Sequence, residues 1–386
     1  MMRKPEYLMK HRLFCIALAV GTLVAPGRLG SAQEEFPYQI FERYLEPLIQ
    51  QIGMPGLSAV IVQGGRTPGE RGRIGWEKSY GFADVEGQVR ARVDTPYPIG
   101  GVTQAVTGVL VGVCIDRFQF QVDEDIRLSV PAFPIAGTSV RQVLAHATDG
   151  RFRYDPALYS SLTNVVESKK CFSQSYRQAV AAEVFDRLAM TRSVPSLDLN
   201  RADGVGARAQ FDEAAVRRYQ AVLNTTAVPY RIDDKGRSFR SDYPDYGVDA
   251  STGLISTAYD LAQFEIELDR RSGVPLSRST LEKMWSNAAF TIPNPAGGST
   301  TVVMPTGLGW FVTTESNVDL VWTFGHIPNA GSALIVRMVP RRPEDAAKRL
   351  TLILLANSPG LAQGYNLENA NVTSSPFVKV FLRLFI

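Results

Sequence analysis

Apolar positions along the chain recur at two periods, and the switches between them mark the elements. Ile40, Tyr44, Leu45, Leu48 and Ile49 fall near helical spacing, which predicts an amphipathic helix over residues 38–51. Gly53-Met54-Pro55-Gly56 breaks it. Leu57 to Val62 then reads as a buried strand and Gly75 to Phe82 as its hairpin partner, with a glycine-rich turn between them. After Gly100-Gly101 the run from Ala105 to Ile115 is apolar on nearly every side, which predicts a helix buried in the middle of the protein. Its N-terminus would aim free N–H groups and a positive dipole end at whatever precedes it, a place suited to a nucleophile or an anion.

Further helices follow. Ser139 is placed to cap one through Arg141, Val143 and Leu144. Leu158, Leu162, Val165 and Val166 share a face over Ala157–Glu167, and Ser173–Met190 reads as another helix. A segment from Ser193 to Tyr246, rich in Asp, Arg, Asn and Pro, holds one amphipathic patch near Ala214–Leu223. Leu261, Phe264 and Leu268 mark a helix after a capping turn at residues 249–257. The last third reads as a β-meander over Gly307–Thr313, Val318–Phe324, Ser332–Val339 and Leu350–Leu355, and Phe377–Ile386 as a final helix packed on the sheet. The pattern predicts an α+β protein: an antiparallel sheet from roughly 36–95 and 300–386, flanked by helices, and a mostly helical part from roughly 96–299.

Composition narrows the function classes. The 386 residues carry a net charge of only +3 and no basic stripe, which argues against nucleic acid as a partner. Residues 1–32 read as a secretory signal, with Arg3, Lys4, Lys10 and Arg12 before the apolar Leu13–Val24 and a Gly30-Ser31-Ala32 cleavage site. The expectation is therefore an exported protein, periplasmic or extracellular, without a stable membrane span in the mature chain. Cys114 and Cys171 would survive cleavage and could pair in an oxidising compartment, their distance not being set by the sequence; free buried thiols are the preferred expectation, since Cys114 lies inside the apolar helix. Two cysteines and the histidines His146 and His326 make no metal-ligand cluster by spacing, and neither a metal nor another cofactor is expected.

The stretch Tyr97-Pro98-Ile99-Gly100-Gly101-Val102-Thr103-Gln104 resembles the first active-site motif of the serine β-lactamase and penicillin-binding superfamily, nearest to the class C β-lactamases and related serine hydrolases. In that motif, Ser-x-x-Lys, the serine attacks a carbonyl and the lysine handles its proton. The serine position falls here on Gly101 and the lysine position on Gln104. No lysine in the chain has a serine three residues before it, and only Lys283 has a threonine there, Thr280. The resemblance continues through Leu144-Ala145-His146-Ala147-Thr148-Asp149-Gly150, where the family has a structural turn, so His146 is expected to be structural. Tyr154-Asp155-Pro156 stands where the family has Tyr-x-Asn. Tyr154 keeps the tyrosine that serves there as base, and Pro156 removes the amide that binds substrate. The third motif, Lys-Thr-Gly or His-x-Gly, has two possible registers. Thr323-Phe324-Gly325, the preferred one, keeps the glycine, and His326-Ile327-Pro328 keeps the histidine.

The resemblance spans roughly residues 36–386 and implies the β-lactamase/transpeptidase fold. Three functions remain open. The first is a catalytically silent relative that binds a small molecule or a peptidoglycan-type peptide. The second is a working esterase, lactamase or D-Ala peptidase with a rebuilt site, using Thr103 or Ser160 with Tyr154 or His326. The third is a scaffolding envelope protein whose pocket is filled.

Overall fold

The computed structural model describes residues 31–386 except 68, 246 and 294–297. The signal segment expected over residues 1–32 lies, up to residue 30, outside the described residues. The chain divides into a short unit, Met1–Phe36, and a large one, Pro37–Ile386, which holds all the strands.

Helix α1 (Ser31–Ile52) stops at Gly53, whose φ of +79° favours glycine. Strands β1 (Gly56–Gln63) and β2 (Arg73–Asp84) form the expected hairpin, and β3 (Val89–Arg90) pairs along β2. The short β4 (Tyr97–Pro98) leads through a 3-10 turn, Gly100–Val102, into α2 (Thr103–Phe118). Every α2 residue from Thr103 to Cys114 is buried, which is why its apolar residues occupy all sides. Ser139 opens α3 (Val140–Leu144) through a reciprocal capping box with Gln142.

Two expected helices are divided. Ala157–Glu167 is α4 (Pro156–Tyr159) followed by α5 (Leu162–Glu167). The hydroxyls of Ser160, Ser161 and Thr163 donate to the carbonyls three residues back and compete with the helical ladder at the break. Ser173–Met190 becomes helical only at α6 (Tyr176–Val180), capped by Ser175, and widens into a π turn over Ala181–Asp186. The polar segment contains α7 (Val205–Arg208), α8 (Glu213–Leu223) and a small hairpin, β5 (Tyr230–Ile232) with β6 (Ser238–Arg240). β7 (Ile255–Ser256) pairs with β4, and Thr257 caps α9 (Ala258–Arg270). After α10 (Arg278–Met284) comes a hairpin that the sequence pattern did not signal, β8 (Ala289–Pro293) with β9 (Ser299–Val303). The meander is β10 (Phe311–Glu315), β11 (Val318–Ile327), β12 (Gly331–Pro340) and β13 (Leu350–Ala356), and α11 (Pro376–Phe385) follows.

One seven-stranded antiparallel sheet, in the order β10-β11-β12-β13-β1-β2-β3, joins the N-terminal hairpin to the meander. Its strands alternate between two cores with the period of two that a pleated strand imposes. Val60, Val62, Ile335, Ile353 and Leu355 face α2 and the helical part, while Ala59, Ile61, Val336, Leu352 and Leu354 face Phe41, Leu45, Phe377 and Phe381 of α1 and α11. At full burial each of these Val, Ile, Leu and Phe side chains contributes about 1.5–3 kcal/mol, so the sheet is held from both sides.

The expectation of free thiols is corrected. Cys114 and Cys171 form a disulfide, Cα atoms 5.2 Å apart, that ties α2 to the loop after α5. The helical burial of Cys114 that suggested an inert thiol also brings it against that loop. A second buried polar feature joins α9 to β12. Arg337 donates to Glu265 and, at 3.3 Å, to Asp269, and its guanidinium lies 4.0 Å from the Trp285 ring centroid.

Candidate functional site

The turn before α2 is clamped on two sides. The Ile99 N–H donates to the Leu254 carbonyl at 2.9 Å, beside the β4–β7 pairing. On the other side stands the end of β11. β10 pairs only as far as Trp322, so Thr323–Ile327 run past its end and meet the turn. Gly100 has φ +51°, a conformation that other residues adopt only with strain. At Gly325 a Cβ would lie 2.0 Å from the Ile99 carbonyl oxygen and 3.1 Å from the Gly101 nitrogen, so only glycine allows this backbone-to-backbone contact. Both registers border the turn: Phe324 and Gly325 lie against Gly101, and His326 and Ile327 lie against Gly100, while Pro328 is exposed at the strand end.

Gly101 itself faces the Tyr154 hydroxyl. A Cβ built on it would lie 2.9 Å from Tyr154 Oη and 2.7 Å from the Phe324 carbonyl oxygen. Both distances are shorter than real Cβ contacts, so a side chain there requires its neighbours to move. Gln104, one helical turn on, shares this face and is almost fully buried. Its Nε2 donates to Tyr154 Oη at 3.1 Å, and its Oε1 is 3.0 Å from His146 Nε2. His146 Nδ1 accepts the Asp155 backbone N–H at 3.2 Å. With Nδ1 an acceptor, the proton of a neutral imidazole sits on Nε2 and is given to Gln104.

The chain of bonds therefore runs one way: Asp155 N–H to His146, His146 to Gln104, Gln104 to Tyr154. Tyr154 ends it as an acceptor from Gln104, its own O–H left to point elsewhere. Burial pushes His146 down to about 3, with the Asp155 charge opposing in part. Burial also pushes the Tyr154 hydroxyl well above its usual range, with the Gln104 hydrogen bond opposing. Near neutral pH both groups are uncharged, and Gln104 takes no proton. Ring contacts hold the cluster: His146 stacks on Tyr159 at 5.0 Å and lies tilted against Tyr154 at 4.9 Å, and Tyr154 packs, also tilted, on Phe324 at 5.2 Å. Tyr159 Oη donates to the Gln104 carbonyl at 2.9 Å.

The remaining sequence candidates stand apart from this cluster. Pro156 is exposed at the first position of α4, behind the Asp155 cap. Thr103 is fully buried, its Oγ1 facing the Leu254 N–H at 3.4 Å. Ser160 donates to Ala157 within its own turn. His326 alternates with Gly325 along β11 and lines a cavity of about 280 Å³ with Phe324, Gln363, Tyr365 and Glu368. Burial lowers the His326 pKa, and the Glu368 charge opposes. Glu368 also raises Tyr154, after burial and the opposing Gln104 hydrogen bond, so one carboxylate acts on both groups. Sequence reasoning missed Tyr159 and Glu368; neither stands in a motif, and only packing on α2 and the loop after β13 brings them here.

A family model described as Beta-lactamase matches residues 41–375. The chain belongs to the beta-lactamase family. Among sequence relatives it is similar to protein flp of Staphylococcus aureus strain N315, with 28% identity over 95 residues, 25% of this chain and 18% of flp. The chain thus matches less than a fifth of the length of those relatives. Among solved structures, the octameric penicillin-binding protein homologue of Pyrococcus abyssi aligns with TM-score 0.64 and 20% identity, over 87% of this chain and 77% of that one. The D-amino acid amidase of Ochrobactrum anthropi aligns with TM-score 0.61 and 17% identity, over 90% of this chain and 99% of that one. At such identities these structures share the fold with this chain, the β-lactamase/transpeptidase architecture.

Proposed function

We propose that this protein is a non-acylating member of the beta-lactamase family, exported from the cell, that binds rather than turns over a small or peptide-like ligand. One observation carries the reading. By the motif resemblance the family's serine falls on Gly101, and the groups around it, Gln104, Tyr154 and His146, form a one-way hydrogen-bond chain whose side chains are uncharged and take up no proton near neutral pH. Acyl transfer needs a nucleophile and a base beside its oxyanion donors. Thr103 and Ser160, the alternative nucleophiles, bond to groups outside this chain. The cavity beside Phe324 and His326 supports a ligand-binding role. Export is supported by the Cys114–Cys171 disulfide, since disulfides persist in oxidising compartments.

A structural role is favoured by a different observation, the tightness at Gly101, where a Cβ meets Phe324 and Tyr154. Covalent labelling with a fluorescent penicillin and a fluorophosphonate tests both readings. The protein is expected to stay unlabelled; labelling of the unaltered chain would overturn the proposal, and the modified residue would name the nucleophile. A folded Gly101→Ser/Gln104→Lys variant that labels at the new serine supports a retained ligand pocket. The same variant, folded but unlabelled, supports the structural role.

A further inference from the structure

At the end of the sheet away from Gly101, arginines from five segments meet around one cavity of about 390 Å³. Arg66 comes from the turn after β1, Arg271 from the end of α9, Arg278 from the first turn of α10, Arg341 and Arg342 from beyond β12, and Arg349 from just before β13. β12 measures the separation from the family's site. Ser332 pairs with His326, and Arg341 lies nine residues further along, roughly 30 Å at the rise of a strand.

Among the described residues, the carboxylates that reach Arg271, Arg278 and Arg349 are shared with other guanidinium groups. Arg271 and Arg278 share one oxygen of Glu282, at 3.1 and 2.8 Å. Arg349 holds Asp269 Oδ1 at 2.7 Å, an oxygen that Arg337 also uses from the interior. Arg341 pairs with Asp319 at 2.7 Å, and Glu70 accepts from the Arg66 backbone N–H and is held down by the Thr67 backbone hydrogen bond and in part by the Arg66 charge. Two carboxylates are thus each divided between two guanidinium groups. Arg271 shows the consequence: its Nε is buried without a hydrogen-bond partner, and burial together with the charge of Arg349 lowers its pKa. A cation so placed is stabilised by an incoming anion. Val339, Pro340 and Ala346 supply apolar wall, which strengthens any charge contact made inside.

We propose that this cleft is a binding site for a phosphate-bearing anion, carried by a small soluble molecule or by the headgroup of an anionic lipid. Guanidinium forks converging from several directions suit a tetrahedral group with several acceptor oxygens and more than one charge. The site is independent of the chemistry proposed at Gly101.

The test uses the full chain with two probes, pyrophosphate by calorimetric titration and vesicles by co-sedimentation. The vesicles contain phosphatidylglycerol in phosphatidylcholine, or phosphatidylcholine alone. Arg278→Glu and Arg342→Glu alter exposed side chains and leave the core intact, and Arg217→Glu, on the exposed face of α8, makes the same change in net charge elsewhere. Saturable pyrophosphate binding, weakened about tenfold or more by either cleft variant and unchanged by Arg217→Glu, establishes the site with a soluble ligand. Binding only to phosphatidylglycerol vesicles, with the same dependence on the variants, establishes it with a headgroup. Binding to neither probe, or equal weakening by all three variants, overturns the proposal.

Discussion

Replacing Arg337 with methionine keeps a long apolar stem in the core and removes the guanidinium from Glu265. Asp269 keeps Arg349 at 2.7 Å, so Glu265 is the group left alone. It is fully buried, and its Oε1 already has no hydrogen-bond partner. Removing one partner from a buried ion pair costs about 3–5 kcal/mol. A limit on that cost follows from titration, because the stranded carboxyl can take up a proton. From the 4.5 of a free glutamate, neutralising it at pH 7 costs about 1.4 kcal/mol for each of two and a half pH units, or about 3.5 kcal/mol. Burial already raises this carboxyl in the intact protein, against the pull of Arg337. A raised carboxyl contributes stability that is full below the unfolded value and is lost as pH rises toward the folded one. The penalty of Arg337→Met should therefore shrink as pH falls from 7 toward 5, by up to about 1.4 kcal/mol per pH unit. Urea unfolding at both pH values measures it, and the double variant Arg337→Met/Glu265→Met should recover most of the loss. A cost below about 1 kcal/mol at pH 7, or a cost that does not change with pH, would refute the reasoning.

Three further outcomes are expected. The imidazole signals of His146, assigned against a His146→Gln variant, should not titrate between pH 8 and 5 in NMR spectra. Because its folded value of about 3 lies below the unfolded 6.5, its contribution to stability is complete above 6.5. It is lost at up to about 1.4 kcal/mol per unit as pH falls toward 3. Breaking the disulfide with Cys171→Ser should cost about 4 kcal/mol from the 57-residue separation it closes, seen as a lower denaturant midpoint, and thiol alkylation without reductant should leave both native cysteines unmodified. Gly325→Ala should lower stability by about 2–3 kcal/mol, because its methyl group forces β11 away from the Ile99 carbonyl; an unchanged melting temperature would contradict that contact.

What the sequence revealed follows the physics of repetition. The alternation of Leu352, Ile353, Leu354 and Leu355, and the all-round apolar run of α2, are local signals that burial on two faces or on every side must produce. The Ser139 cap and the Thr257 cap are equally local. Side-chain hydroxyls that broke Ala157–Glu167 into two helices were visible in the sequence, but apolar spacing outweighed them in the reading. The disulfide had no signal, since 57 residues separate its cysteines and nothing in their spacing sets the distance. At the site, motif order located Gly101, Gln104 and Tyr154. The bond from His146 to Gln104 crosses 42 residues, and His146 takes a left-handed backbone, φ +52°, that its residue type does not signal. The arginine cleft is the extreme case, because its members come from five segments and resemble solvated surface charges one at a time.

The close fit of Gly101 beneath Tyr154 couples substitutions at positions 101 and 104. A serine introduced alone meets Tyr154 Oη and the Phe324 carbonyl, and the tyrosine cannot retreat without leaving Gln104. A lysine introduced alone at position 104 offers only donors, so it loses the acceptor that now receives the His146 proton and adds a charge inside the fold. Each single step toward Ser-x-x-Lys lowers fitness of the fold before any chemistry is gained. Only joint replacement, with the tyrosine freed by one change to accommodate the other, admits both side chains.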